Sequence, residues 1–123
     1  MLEHNYREIR LRGKNNTKRK QIIEFADDKY ELLAEFMMTD MSQFRKAFEN
    51  ELDAVLDGSR DRAQLRGNRC HLVIFPDYII LYDELAEDGI GRWCQVDMDD
   101  FLDVVNEWDQ RMSELKETEQ GQI

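Results

Sequence analysis

The sequence predicts an α+β protein with an antiparallel sheet of four to five strands and two main helices packed on one face, in the order β-β-α-β-β-β-α. Two segments repeat apolar residues at spacings of three and four, which is typical of amphipathic helices. Two β-rich runs, "CHLVIF" and "YIILY", are separated only by Pro76 and Asp77. Because 123 residues with 41% apolar side chains are enough for one core, we expect one domain.

The chain begins with a basic segment, residues 1–20, which includes a candidate edge strand, "YREIRL", and an exposed loop, "RGKNNTK". This segment holds seven Lys and Arg residues against two glutamates, whereas the remaining residues hold ten against twenty-five carboxylates. We expect a single α+β domain over residues 20–115. The polar ending "KETEQGQI" has no apolar period and predicts a flexible tail over residues 116–123.

The stretch from Thr17 to Met38 fits two structures. On a helical wheel its apolar residues cluster on half of the circumference, which favours one long helix. As two strands, Lys20 to Phe25 and Tyr30 to Met37 would turn at Asp27-Asp28, with Phe25 opposite Tyr30, Ile23 opposite Leu32 and Lys20 opposite Glu35. The pattern alone leaves both open.

A helix is predicted over residues 41–57. Asp40, with Gln43 three residues later, resembles a capping box, and Gly58 is placed to end the helix. One face of this helix carries an apolar stripe made of Phe44, Phe48, Leu52 and Val55. A polar connection follows, with a short strand at Ala63 to Leu65 and a turn at Gly67-Asn68.

The two β-rich runs around Pro76-Asp77 predict a hairpin, because proline presets the first turn position and aspartate is a favoured turn residue. A third strand is predicted at Gly91 to Val96. Both faces of the hairpin are apolar. We therefore expect helices on one side, and further protein or a partner chain over part of the other.

The last helix is predicted over residues 99–115. Asp97 is placed to cap it, and Asp99 and Asp100 in the first turn complement the helix dipole. Its apolar stripe consists of Phe101, Val105, Trp108, Met112 and Leu115.

Two stretches, "DGSRDRAQLRGNRCHLVIFPDYIIL" and "CQVDMDDFLDVVNEW", resemble the YacL-like family of small acidic bacterial proteins. The similarity spans residues 20–115, and it implies an α+β layout in which residues 20–37 form a hairpin. The organisation is also similar to that of small immunity proteins of bacterial toxin systems. The basic segment of residues 1–20 departs from the YacL-like pattern, so the resemblance implies nothing about it.

The sequence lacks the patterns of common catalytic and cofactor sites. The potential zinc ligands Cys70, His71, Cys94 and His4 contain no close pair of the Cys-x-x-Cys type. Neighbours on one strand point to opposite faces, so Cys70 and His71 cannot form a catalytic dyad, although Cys94 and His71 could. The two cysteines fit buried thiols, and the carboxylates do not match a calcium loop. We expect no cofactor, no metal and no enzymatic activity.

The favoured interpretation is a non-enzymatic cytosolic binding protein, specifically an acidic inhibitor or immunity-type protein that masks a basic partner protein. The proposed contact is an acidic rim with an aromatic anchor, Trp93; Trp108, on a core stripe, is expected to be structural. The predicted partner-binding residues are Asp83, Glu84, Glu87, Asp88, Trp93, Asp99, Asp100 and Asp103.

The alternative interpretation is a small regulatory or housekeeping protein, arranged as a homodimer, that contacts nucleic acid through its basic N-terminus. Nucleic-acid binding is the less favoured interpretation, since the segment has no aromatic series for base stacking and folding back onto the acidic body is equally natural for it. The beginning of the chain lacks the pattern of a signal peptide, and no apolar run is long enough to span a bilayer. We therefore expect a cytoplasmic protein without membrane contact.

Overall fold

The structure is a computed structural model that describes residues 2–13, 17–84 and 92–120. It confirms the α+β class, with two antiparallel sheets of two and four strands. The elements are β1 (His4–Arg12), β2 (Thr17–Phe25), a short 3-10 helix (Asp28–Tyr30), α1 (Glu31–Met38), α2 (Asp40–Gln43), α3 (Arg45–Leu56), β3 (Ala63–Arg66), β4 (Cys70–Ile74), β5 (Tyr78–Asp83), β6 (Trp93–Asp97) and α4 (Met98–Gln120).

The larger sheet has the strand order β3-β4-β5-β6, with every neighbouring pair antiparallel. The predicted hairpin at Pro76-Asp77 is confirmed as β4 and β5. The N–H of Phe75 donates to the carbonyl oxygen of Tyr78 at 2.9 Å, and their rings stack with centroids 4.8 Å apart. The predicted strands at Ala63 and before the last helix are also confirmed, as β3 and β6.

Helices α3 and α4 pack on one face of this sheet, as predicted, and α1, which is not one of the two predicted main helices, packs on the same face. Alternate residues of each strand point into this core, as the period of two along a strand requires. The rings of Phe36, Phe48 and Phe101 meet edge to face, with centroids 5.5 and 5.8 Å apart. The buried strand residues are Ala63, Leu65, Cys70, Leu72, Ile74, Ile79, Leu81, Cys94 and Val96.

Neither form predicted for residues 18–38 is correct as a whole: the strand at Lys20 to Phe25 is confirmed as part of β2, but Tyr30 to Met37 is not a strand and no single helix spans the stretch. Residues 17–25 form β2, which pairs with β1 along its whole length, from His4 opposite Phe25 to Arg12 opposite Thr17. The chain then enters α1, whose apolar residues contact both β2 and the larger sheet. The pairing of Phe25 with Tyr30 therefore does not form, because the partner of β2 lies at the beginning of the chain.

The hairpin β1–β2 packs against α1 and α4 through its half nearest the body. His4 Nε2 lies 2.9 Å from Glu107 Oε1, and the Tyr6 ring lies 6.4 Å from that of Trp108. The guanidinium of Arg111 lies 4.1 Å above the centre of the Tyr6 ring. The basic segment is thus joined to the rest of the fold by strand pairing and by side-chain contacts.

The predicted helix at 41–57 is divided into α2 and α3 at Phe44. The capping box is wrong, because the N-cap residue of α2 is Thr39, and Asp40 is the first residue of the helix. Its carboxylate instead accepts the backbone N–H groups of Asn68, Arg69 and Cys70 at 3.2, 2.8 and 2.7 Å. The role of Gly58 is confirmed: it follows α3 with φ of 83°, a conformation that glycine adopts without strain.

The last helix continues to Gln120, five residues beyond the predicted end at 115. Of the residues predicted to lie in the tail, 121–123 fall outside the described part of the chain. Within residues 2–13, 17–84 and 92–120, no helix has both the length and the apolar character required to cross a membrane.

Candidate functional site: the open face of the sheet

One face of the four-stranded sheet carries no helix in the described part of the chain. The residues that alternate with the buried ones along each strand point to this side and are half-buried or exposed. We call this surface the open face; it consists of Gln64, Arg66, His71, Val73, Phe75, Tyr78, Ile80, Tyr82, Trp93, Gln95 and Asp97.

The apolar part of the open face forms rows across the strands. His71 lies opposite Tyr82, and Tyr82 lies opposite Trp93, so three rings stand side by side at one end. Trp93 is 63% exposed and Tyr82 is 41% exposed. The next row pairs Val73 with Ile80. Large apolar side chains therefore face solvent together on adjacent strands, whereas single exposed apolar residues would need no explanation.

Polar groups border the aromatic row. Glu84 Oε1 lies 3.1 Å from Arg66 Nε, in an ion pair, and 3.6 Å from His71 Nδ1. His71 Nε2 lies 3.1 Å from Gln64 Oε1. These contacts hold the His71 ring beside Tyr82, with ring centroids 6.0 Å apart.

The opposite end of the open face is acidic. Asp97 lies opposite Tyr78, and the N–H of Met98 donates to the backbone oxygen of Asp77 at 2.9 Å. Neither Asp77 nor Asp97 has an ion pair with another residue of the described part. The open face therefore has an aromatic end, where the charge of Glu84 is balanced by Arg66, and an opposite end that is negatively charged.

The predicted acidic rim is not brought together on one surface. Asp83 lies on the helix side of β5, only 10% of its side chain is exposed, and it binds Arg69 at 2.7 Å and Arg92 at 3.3 Å. Both arginines also bind Glu35 of α1 at 2.9 Å. This network of ion pairs connects α1 to the end of the sheet. Asp83 therefore contributes to the packing of α1 against β5 and β6.

The remaining rim residues are scattered. Asp99 and Asp103 are exposed on the first turns of α4, in the helical layer, and Asp100 is half-buried there. Glu87 and Asp88 lie outside the described residues. Of the predicted set, only Glu84 and Trp93 lie beside one another at the open face.

Trp108 is buried in the core, as the sequence predicts. The aromatic and aliphatic residues that surround Trp93 were absent from the predicted site. In the sequence, the only indication of these residues was that both faces of the β4–β5 hairpin are apolar. This predicted that further protein covers part of the second face, but it did not identify the residues of a binding site.

The dyad that the sequence left open, Cys94 with His71, does not form. Cys70 and Cys94 are buried on the helix side, whereas His71 lies on the open face, so Cys94 and His71 are on opposite sides of the sheet. Burial raises the pKa of Cys70 to about 12 and that of Cys94 to about 11, which keeps both thiols protonated and poorly nucleophilic. Among the described residues, no group of three or more His, Cys, Asp or Glu side chains is arranged to hold a metal.

Comparison with known proteins finds a curated relative, an immunity protein of Bacillus cereus. It is 31% identical over 85 residues, which cover 69% of this chain and 73% of the relative. No family model and no solved structure matches the chain.

Proposed function

The chain belongs to the family of the Bacillus cereus immunity protein, and from this premise we propose that it binds a protein toxin and blocks the toxin's activity without catalysing a reaction itself. We choose the open face as the binding surface because of its exposed apolar side chains. It is the one extended surface in the described part of the chain where aromatic and aliphatic side chains of adjacent strands face solvent together.

Trp93 and Tyr82 would supply most of the affinity. Aromatic side chains near the centre of an interface are common hot spots, because they bury a large apolar area at a low cost in side-chain entropy. Both residues stand on paired strands, which fix their backbone positions before the toxin arrives. Glu84, held by Arg66 and His71, lies at the border of this row, where it would meet a donor on the toxin.

The toxin surface is expected to be basic. Outside residues 1–20 the chain has ten Lys and Arg residues against twenty-five Asp and Glu residues. Asp97 extends this negative charge to the end of the open face, and the exposed Asp99 and Asp103 add to the field from α4. Such a field raises the rate of association with a basic protein more than it raises the affinity.

The test begins with the full-length chain as bait in the native host, followed by purification of the captured toxin and measurement of the Kd of the purified pair. Trp93→Ala should weaken binding by about 30-fold or more, corresponding to about 2 kcal/mol, and Tyr82→Ala by about tenfold. Leu56→Ala is the matched control, because Leu56 is an apolar side chain, 46% exposed, on α3 and away from the open face. Its Kd should be unchanged.

Two results would contradict the assignment. One is a captured toxin whose Kd responds to Trp93→Ala and to Leu56→Ala equally. The other is a free protein that is a stable homodimer, split by Trp93→Ala, because the open face would then belong to a second copy of the chain. Circular dichroism of each variant establishes that the fold is retained.

A further inference from the structure

The hairpin β1–β2 has a half that is packed into the body and a half whose β1 residues are exposed. Near the body, Ile23 is buried and Tyr6 packs against Trp108. Beyond Glu8, every described β1 residue is exposed. We call this distal part the arm; its cross-strand pairs are Ile9 with Lys20, Arg10 with Arg19, Leu11 with Lys18, and Arg12 with Thr17.

The arm concentrates cations, most of which are not balanced by a carboxylate of the described residues. Arg10, Arg12, Lys18 and Lys20 make no ion pair with any residue in the described ranges, although the chain has an excess of carboxylates. In the body, by contrast, arginines bind carboxylates of neighbouring elements, as Arg45 does with Asp109. Two of the hairpin's ion pairs, Arg7 with Glu24 and Arg19 with Glu8, lie within the hairpin, and His4 pairs with Glu107 of α4 at the base of the hairpin.

The arrangement of the cations is unfavourable for the free protein. Arg10 stands directly opposite Arg19, and like charges in such a cross-strand pair destabilise a sheet. Glu8, 3.2 Å from Arg19 Nε, compensates one member of this pair. An anion bound beside Arg10 would compensate the other.

Both faces of the arm are cationic, and this determines which anionic partner fits. Lys18 and Lys20 lie on one face, paired with Leu11 and Ile9, and Arg10 and Arg12 alternate onto the other. A flat anionic surface, such as a lipid bilayer, can contact only one face of a ribbon. The major groove of a nucleic-acid duplex admits a two-stranded β-ribbon and places phosphates on both sides of it.

We propose that the arm binds the phosphate backbone of nucleic acid, with Arg10, Arg12, Lys18 and Lys20 as the contacting residues. The arm extends about 14 Å, at about 3.4 Å per residue, so its far end lies more than the Debye length of about 8 Å at physiological salt from its base. Screening of the body's carboxylates therefore increases towards the far end of the arm. The interaction is independent of base sequence and of the toxin, and it is sensitive to salt.

The test measures binding of the full-length chain to a short duplex DNA of mixed sequence by fluorescence anisotropy. Four phosphate contacts predict a slope of about −3.6 for log K against log salt, which is a loss of about 100-fold in affinity between about 50 and 200 mM salt. Lys18→Glu/Lys20→Glu should abolish binding. Lys46→Glu/Arg62→Glu is the control, since both side chains are exposed outside the hairpin and the change in net charge is identical.

Retained binding of the control with loss in the arm variant supports the proposal. Equal losses in both variants would overturn it, because net charge alone would then explain binding. A wild-type chain that binds the duplex without salt dependence would also overturn it, as would binding to phosphatidylserine vesicles but not to DNA. None of these measurements involves the toxin, so their outcome is separate from that of the toxin assignment.

Discussion

Asp40 is the residue on which the connection between the helices and the sheet depends most directly. Its side chain is buried, with 1% exposed, and its carboxylate accepts three consecutive backbone N–H groups at the turn between β3 and β4. Asp40→Ala would leave these donors without an acceptor, since the turn lies beneath α2. We expect the free energy of unfolding, measured in urea, to fall by about 2 to 4 kcal/mol.

Gly67 provides a control that tests the same contact from the other side. A Cβ at this position would lie 2.4 Å from Asp40 Oδ2, so Gly67→Ala displaces the carboxylate or the turn. In an Asp40→Ala background the obstructing atoms are absent. The cost of Gly67→Ala should therefore be smaller there than in the wild type, and strictly additive costs would show that the two residues do not interact.

At the scale of elements, the hairpin β1–β2 belongs to the core through one face only. Ile23 is 1% exposed, whereas its neighbour Ile22 points to the other face and is half-buried. Ile23→Ala should lower the free energy of unfolding by about 2 to 5 kcal/mol, because it leaves a cavity between β2 and α1. Ile22→Ala, the same chemical change on the opposite face, should lower the free energy of unfolding by less than half as much in the same urea titration. Equal losses would show that β2 does not bury the Ile23 face in preference to the Ile22 face.

Elements with a strong local signal could be predicted from the sequence. The apolar stripe that includes Phe101 and Trp108 predicted α4, and Pro76-Asp77 predicted the turn between β4 and β5. Residues 17–38 lacked such a signal. Apolar residues of β2 and α1 follow one another without a break, and β1 is largely charged, so no pattern indicated that β1 pairs with β2.

The same limit applies to the candidate site. Trp93 could be selected from sequence because it stands in a polar context, and the structure places it on the open face. Tyr82 and Ile80 could not, since the hairpin is apolar on both sides and only the arrangement of helices decides which side is covered. Asp83 was predicted to be a rim residue; the arginines that bind it, Arg69 and Arg92, come from separate parts of the chain.

At the scale of the whole molecule, charge is divided between two regions. The net charge is −10, the body is acidic, and the exposed cations of the arm lie on a different sheet from the open face. The two proposed contacts are thus carried by separate sheets. In these proposals a basic toxin binds the acidic body, and the arm remains accessible to a polyanion such as nucleic acid.

This charge division predicts how toxin binding responds to salt. The association rate constant should fall by about tenfold or more as ionic strength rises from about 0.01 to 1 M, while the dissociation rate changes little. Asp99→Lys/Asp103→Lys should slow association in the same way, and Trp93→Ala should mainly accelerate dissociation. Stopped-flow measurement of both rates separates these effects; a salt-independent association rate would contradict a basic toxin surface.

The bond from Asp40 to the β3–β4 turn spans 28 to 30 residues of chain. Such a long loop must close before its contact contributes stability, which slows folding relative to a hairpin stabilised by its own turn. During synthesis Asp40 leaves the ribosome before its three donors do. The sheet that carries the proposed toxin-binding surface is synthesised after α1, α2 and α3, and α4 is synthesised last.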